Sequence, residues 1–276
     1  MIVSQATFSK NPNKYIASYK KNGFILIKNV LNKSDFIELN QTIVTILNKF
    51  SKKKIIKNNL SDIKINNTLI DLRKKNPKKF ANFFDSLQTT TSILKFWTNN
   101  KVLNTIKLLT NEKFPCFSAT DLLLRVDSPI DEKNKLNWHQ DSGYFRQNNK
   151  GGNGINCWAP LINLKFDMGP LEILGKSHNL GLVEVKKKRS KNYGSLQRTL
   201  PKNLTDKFKI FNYEMNIGDI LFMNMDLVHR SGSNFSSKFR FSALCRFHKV
   251  LKQDFNPGLN IYRYSDKKLN KKVHGF

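Results

Sequence analysis

Asn137-Trp138-His139-Gln140-Asp141 and, further on, Val228-His229-Arg230-Ser231-Gly232-Ser233-Asn234 followed by Arg240 are the stretches on which the reading of this chain turns. On a β-strand, residues i and i+2 point to one face, so His139 and Asp141 can present an imidazole and a carboxylate to one ion while Gln140 points away. A His-x-Asp pair arises often by chance and needs a third ligand. The other histidines are His178, His229, His248 and His274. His229 follows the turn and apolar run Gly218-Asp219-Ile220-Leu221-Phe222-Met223-Asn224 and opens a turn-rich segment, where binding residues are commonly found. His178 reads as a turn residue, and His248 and His274 as surface or packing residues, which leaves His229 as the best third ligand.

Two histidines and one carboxylate on one side of an ion leave three positions open, an arrangement suited to Fe(II) that must bind a cosubstrate and dioxygen together. A zinc hydrolase would call for an HExxH helix or a cysteine cluster, and the chain has neither. Arg240 falls on the next apolar strand, where its planar fork can grip a carboxylate about one cosubstrate length away, and Ser231 can add a hydroxyl. Without the His/Asp/His set, Arg240 would read as a surface charge.

The segments around these stretches set the fold class. After Pro115 come short apolar or alternating runs, at 116–126, 155–164, 170–174, 181–185, 208–215, 219–224 and 239–249, separated by Gly, Pro, Asn and Asp. Strands at that spacing point to a sandwich, jelly roll or barrel. Before Pro115 the pattern is different. A strand is expected within 23–31, then an amphipathic helix over 35–50 capped by Ser34, with Phe36, Leu39, Ile43, Ile46, Leu47 and Phe50 at helical spacing. Residues 51–111 continue as helix, clearest over 79–96 and 101–110, and the aromatic stripe there reads as a helix face packed on a sheet. The basic stretch 186–207 reads as a long connection, of which a lid is one use. The expectation is a mainly β protein with packed helices (α+β), a single domain over 1–276 with a strand and helical support region over 1–115, a β core over 116–250 and a C-terminal extension over 251–276.

Composition narrows the partners. At 276 residues, with 39% hydrophobic and 11% aromatic residues, the chain has ample material for a core, and it contains no apolar run long enough to cross a bilayer. The formal charge of +28 raises nucleic acid as a partner, but the lysines are spread through the whole chain with many Asn and Ile, and binding needs a local patch. Cys116, Cys157 and Cys245 form no CxxC pair and read as reduced residues. The N-terminus turns polar too early for a signal peptide, so the default location is the cytoplasm.

Taken together, the residues resemble the phytanoyl-CoA dioxygenase family of Fe(II)- and 2-oxoglutarate-dependent oxygenases. The likeness rests on Trp138-His139-Gln140-Asp141 with Tyr144 after it, on Trp158 before Leu161, and on Gly169-x-Leu171-Glu172-Ile173-Leu174-Gly175-Lys176-Ser177-His178. It continues through Gly218-Asp219-Ile220-Leu221-Phe222, His229-x-Ser231-Gly232-x-Asn234-x-Ser236 and Arg240, and is weakest over 51–115 and 186–207. The resemblance implies a double-stranded β-helix (jelly roll) with helices outside it, iron held by His139, Asp141 and His229, and 2-oxoglutarate with its 5-carboxylate on Arg240, assisted by Ser231 and flanked by Trp158. It also implies use of dioxygen, release of succinate and carbon dioxide, and hydroxylation of an unactivated carbon. Asp141 is present, so the halogenase variant that loses this carboxylate is disfavoured. Met168-Gly169-Pro170 stands where similar proteins often carry Asn-Gly, a departure expected to alter a turn and touch no ligand.

The substrate is less legible. Tyr144 and Phe145 are expected at the pocket mouth. Arg246 shares strand parity with Arg240 and is a candidate contact for an anionic group, although a solvent-facing charge at the strand end is the plainer reading. Arg125 and the basic loop 186–202 fit the same anionic preference or the general lysine bias. Two other classes stay open: a non-catalytic jelly-roll binding protein, and a nucleic-acid-directed oxygenase.

Overall fold

Gly23 takes a left-handed conformation (φ 81°) at the end of a helix, and its N–H donates to the Tyr19 carbonyl at 2.7 Å. That turn feeds Phe24-Ile25-Leu26-Ile27, four consecutive buried residues, into the middle of a sheet. A continuous apolar run with no alternation is what a strand covered on both faces requires. The computed structural model describes residues 1–117, 121–129, 135–145, 147–148, 154–185, 188–189 and 196–256.

In chain order the elements are β1 (Ile2–Ser4), α1 (Gln5–Lys10), α2 (Pro12–Asn22), β2 (Phe24–Lys28), α3 (Ile37–Ser51), α4 (Ile63–Lys75), α5 (Pro77–Leu87), α6 (Thr91–Trp97) and α7 (Asn100–Thr110). Then follow β3 (Pro115–Cys116), β4 (Leu122–Asp127), β5 (Ile155–Pro160), β6 (Glu172–Leu174), β7 (Lys188–Arg189), β8 (Leu196–Gln197), α8 (Lys202–Thr205), β9 (Ile210–Phe211), β10 (Ile220–Asn224), β11 (His229–Arg230) and β12 (Arg240–Lys249). The major sheet runs β1-β2-β10-β5-β12-β3, with β4 also on β12, and a smaller sheet runs β11-β6-β9. This is a jelly roll with helices packed on its outside. Among the described residues no helix is long and apolar enough to cross a membrane.

The helices bury one stripe each, as Leu39, Ile43, Val44 and Leu47 do on α3. Two side-chain amides, one at the end of α5 and one in α4, then stitch the layer to the sheet. Gln88 exchanges hydrogen bonds with the backbone of Leu124 on β4 (2.9 and 2.8 Å), and Asn66 of α4 bonds Ser237 and Phe239 at the entry to β12 (3.2 and 2.9 Å). Gln88 thus meets backbone groups of β4 that its pairing with β12 does not use.

Several expectations need correction. The helix expected over 79–96 is two, α5 and α6, broken around Gln88, which turns its amide to β4. Ser34 is not the cap of the following helix; Asp35 accepts from the Asn32 backbone at 2.7 Å, and a 3-10 turn over Lys33–Phe36 precedes α3. Residues 181–185 form no strand, because the Gly181 carbonyl and Val183 N–H bond the side chain of Gln140 instead of a neighbouring strand. The stretch 186–207 contains the β7–β8 pair and α8; residues 186–187 and 190–195 lie outside the described residues, as do 257–276 of the C-terminal extension. Helices α1, α2 and α4 and strand β1 had no individual signal, being short or weakly amphipathic.

Candidate active site

His139 and His229 face each other as a bridged antiparallel pair, each backbone N–H donating to the other's carbonyl at 3.0 Å. Their imidazoles lie side by side, ring centres 4.3 Å apart. Each ring is oriented by the same local device: Nδ1 of His139 contacts the Asn137 carbonyl at 2.7 Å, and Nδ1 of His229 contacts the Leu227 carbonyl at 2.9 Å. A carbonyl only accepts, so Nδ1 carries the proton and the Nε2 lone pair is left free to bind an ion.

Asp141 completes the group. The expected regular strand over His139–Asp141 does not form: His139 makes a single bridge and Asp141 begins a 3-10 turn, Asp141–Gly143. The two side chains still converge, with Asp141 Oδ1 3.7 Å from His139 Nε2, and the three ligand atoms of His139, Asp141 and His229 lie within 4.8 Å of one another. All three residues are buried. Burial by itself would raise the Asp141 carboxyl, but the Arg246 guanidinium and the two imidazoles hold it well below the usual carboxylate range. Burial, and then His139, push the His229 imidazole down to about 4. With each Nδ1 turned to a backbone carbonyl, the set offers two imidazole Nε2 atoms and a carboxylate oxygen, donor types suited to a divalent ion.

Gln140 points away, as strand parity anticipates. Its amide donates to the carbonyls of Gly181 and Asp226 at 2.7 Å each and accepts from Val183 N–H at 2.9 Å, fastening three chain segments behind the site.

Across the same pocket wall stand Arg240, Ser231 and Trp158, together with Leu123, Leu171 and Leu244. Arg240 is buried and donates through Nε (3.1 Å) and Nη2 (2.9 Å) to Asp127 Oδ2, while Nη1 donates to the Gly169 carbonyl. Arg125 donates to the other oxygen of Asp127 from Nη2 at 2.6 Å. Burial would raise the Asp127 carboxyl, and the two arginines outweigh it and hold it at about 2. The Met168-Gly169-Pro170 turn thus touches Arg240 after all. Gly169 has φ 69°, and a Cβ there would come within 2.6 Å of the Gly232 carbonyl oxygen, so the turn is packed tightly against the segment after His229.

The far end of the wall holds the clearest departure from the sequence reading. Arg246 is buried, not a solvent-facing charge: Nε donates to Asp141 Oδ2 at 2.9 Å, and the guanidinium stacks 4.0 Å from the Phe145 ring centre. Tyr144 stands 6.0 Å from the His139 ring, and its hydroxyl accepts from the Arg198 backbone at 2.5 Å. Of the remaining histidines, His178 sits in a 3-10 turn with Nε2 2.9 Å from the Lys20 carbonyl, and His248 is buried 3.2 Å from Asp121. His274 lies outside the described residues. Asn156, in the pocket wall, and Asp127, held between Arg125 and Arg240, had no motif to announce them.

With this geometry in hand, the profile of the phytanoyl-CoA dioxygenase (PhyH) family matches residues 19–242. The chain belongs to the phytanoyl-CoA dioxygenase family. Comparison with curated protein sequences gives no match. Among solved structures, this family member is similar to the epimerase SnoN in complex with Fe3+, alpha ketoglutarate and nogalamycin RO (TM-score 0.58, 13% identity, 87% of this chain and 84% of that one). It is similar also to the alpha ketoglutarate dependent carbocyclase SnoK from nogalamycin biosynthesis (TM-score 0.54, 14% identity, 90% and 87%). EctD from S. alaskensis, solved with 2-oxoglutarate and 5-hydroxyectoine, is a third (TM-score 0.53, 13% identity, 86% and 76%). At such identities the likeness establishes the jelly-roll fold. Membership makes the chain a 2-oxoglutarate-dependent oxygenase with Fe(II) and 2-oxoglutarate as cofactors, and the His139/Asp141/His229 donor set fits the metal.

Proposed function

We propose that this oxygenase hydroxylates an unactivated carbon of a small metabolite, anionic ones included, with dioxygen as oxidant and with release of succinate and carbon dioxide. The observation that carries the reading is the presence, on one pocket wall, of the two locked imidazoles of the triad and the buried arginine Arg240. Iron and 2-oxoglutarate together supply the activation of dioxygen, coupled to decarboxylation of the 2-oxoglutarate.

The chain's own residues bind and orient. His139, Asp141 and His229 hold the iron from one side. Arg240, steadied by Asp127 and the Gly169 carbonyl, meets the 5-carboxylate of 2-oxoglutarate, with Ser231 beside it and Trp158 flanking. The leucines at 123, 136, 171 and 244 exclude water from the space between. Arg125, on the same wall, favours a substrate carrying a carboxylate or phosphate, and Tyr144, beside the His139 ring, is a further candidate substrate contact. Stereochemical inversion and ring closure are known outcomes on this fold, in SnoN and SnoK, so product analysis must separate them from hydroxylation.

Anaerobic titration with Fe(II) and then 2-oxoglutarate tests the cofactor assignment through the weak visible charge-transfer band of the chelate. The band is expected in the wild type and absent in His229→Ala. Folded, metal-loaded protein that never develops the band would overturn the reading. With a substrate in hand, label from 18O-dioxygen should enter the product.

A further inference from the structure

We propose that Asn156 and Arg246 are positioning residues for Asp141: together they occupy its Oδ2 and leave Oδ1, the oxygen beside the imidazoles, as the single carboxylate ligand. The inference rests on the iron reading of the triad. Asn156 and Arg246 are directly opposed partners on the neighbouring strands β5 and β12 and line the same pocket wall. Asn156 Nδ2 donates to Asp141 Oδ2 at 2.5 Å and Arg246 Nε donates to the same oxygen at 2.9 Å. Arg246 Nη2 reaches Oδ1 only at 3.4 Å, whereas His139 Nε2 lies 3.7 Å from it. One oxygen of the carboxylate is therefore held from two sides and the other is turned toward the imidazoles.

Both holders are themselves fixed. The Arg246 guanidinium lies over the Phe145 ring, with Nη1 3.5 Å from the Asp121 carbonyl. Asn156 is held by chemistry: its amide must turn Nδ2 to the carboxylate, since the reverse orientation would set oxygen against oxygen. That choice leaves Asn156 Oδ1 buried with no hydrogen-bond partner among the described residues. Buried acceptors are normally satisfied, so a fold that tolerates an orphan in order to keep a donor on Asp141 sets the carboxylate's orientation above local stability. The chemical return is coordination number. A carboxylate free to rotate could chelate the metal through both oxygens and fill one of the three positions that 2-oxoglutarate and dioxygen require.

The test compares Asn156→Ala and Arg246→Gln with wild type by anaerobic Fe(II) titration, followed by 2-oxoglutarate, with circular dichroism confirming the fold. Loss of an outer hydrogen bond to a metal ligand typically weakens binding by about ten- to a hundredfold, and that loss of Fe(II) affinity is expected in both variants, with a shifted chelate band. A loosened fold alone would not move the band of the molecules that still bind. Sign separates positioning from simple charge: removing a positive group near a cation should tighten binding, so a tighter Arg246→Gln would overturn the role of Arg246. Unchanged Fe(II) affinity and band in Asn156→Ala would overturn the role of Asn156, and this variant serves alone if Arg246→Gln does not fold. Failure of the wild type itself to bind Fe(II) would sink the iron reading, and this inference with it.

Discussion

Strand β12 carries an inward arginine near each end, and each lies against a buried aspartate, yet the two pairs are built to opposite purposes. At one end Arg240 stands in the pocket wall, where the proposed function has it meet the cofactor, and Asp127 holds it from behind. At the other, Asp141 faces the metal position and Arg246 holds it. The same two residue types are in contact at 2.9 Å in both places. What differs is the company. Asp127 is answered by two arginines, Arg125 and Arg240, so this cluster carries a net positive charge, and in the proposed function the arginine is the member that meets an anion. Asp141 has one oxygen engaged by Arg246 and Asn156 and the other beside two imidazoles, so the carboxylate is the group left to meet a cation. An Arg–Asp pair does not by itself say which member is the ligand; the donors around it decide.

The sharpest way to break this comparison is Arg240→Ala. Charge-assisted hydrogen bonds contribute about 1.5–3 kcal/mol each, so the 2-oxoglutarate concentration needed to form the chelate should rise by about a hundredfold, with Fe(II) still bound. An unchanged requirement would remove Arg240 from the cofactor site and leave the β12 ends unrelated.

Asp127→Asn sharpens the holder's side. Removing one charge from a buried ion pair costs about 3 kcal/mol, and a loosened Arg240 should raise the 2-oxoglutarate requirement by roughly tenfold. The pH dependence carries a sign. Burial opposes ionisation of Asp127, but Arg125 and Arg240 lower its carboxyl from 3.8 to about 2, so its contribution is present above about pH 4 and is lost as pH falls toward 2. That component is on the order of 2 kcal/mol in the wild type and should be missing from acid denaturation of Asp127→Asn. Identical acid profiles would mean the ion cluster does not stabilise the fold.

The smallest effect is expected of Gly169→Ala. At φ 69°, with carbonyl oxygens of Gly232 and Ser233 2.6 and 2.5 Å from the new Cβ, the substitution should cost about 1–3 kcal/mol in thermal unfolding and disturb the carbonyl that Arg240 meets. Full stability would show that this turn yields easily and does not brace Arg240.

Much of this was legible in the chain and some was not, for identifiable reasons. The triad could be found because His139 and Asp141 are two residues apart and His229 ends a strongly apolar run; local spacing carries such information whether or not the local backbone is a regular strand. Long amphipathic elements such as α3 and α7 announced themselves by period. The break between α5 and α6 did not, because its cause is Gln88 reaching β4, a contact between residues far apart in sequence. The Met168-Gly169-Pro170 departure looked inert for the same reason, since its partner Arg240 arrives only when β12 is laid in place.

By itself, the sequence determined a β-rich half behind a helical one and the identity of the candidate ligands, which follow from residue type and short-range spacing, while the family and its jelly roll came from the resemblance carried by the ordered set of motifs. Only the tertiary structure decided which aspartate answers which arginine, that Arg246 is buried against Asp141 rather than in solvent, and that Asn156 shares that oxygen. Strand register pairs residues that no local pattern relates, and burial in a weakly screened interior turns those pairings into fixed charges.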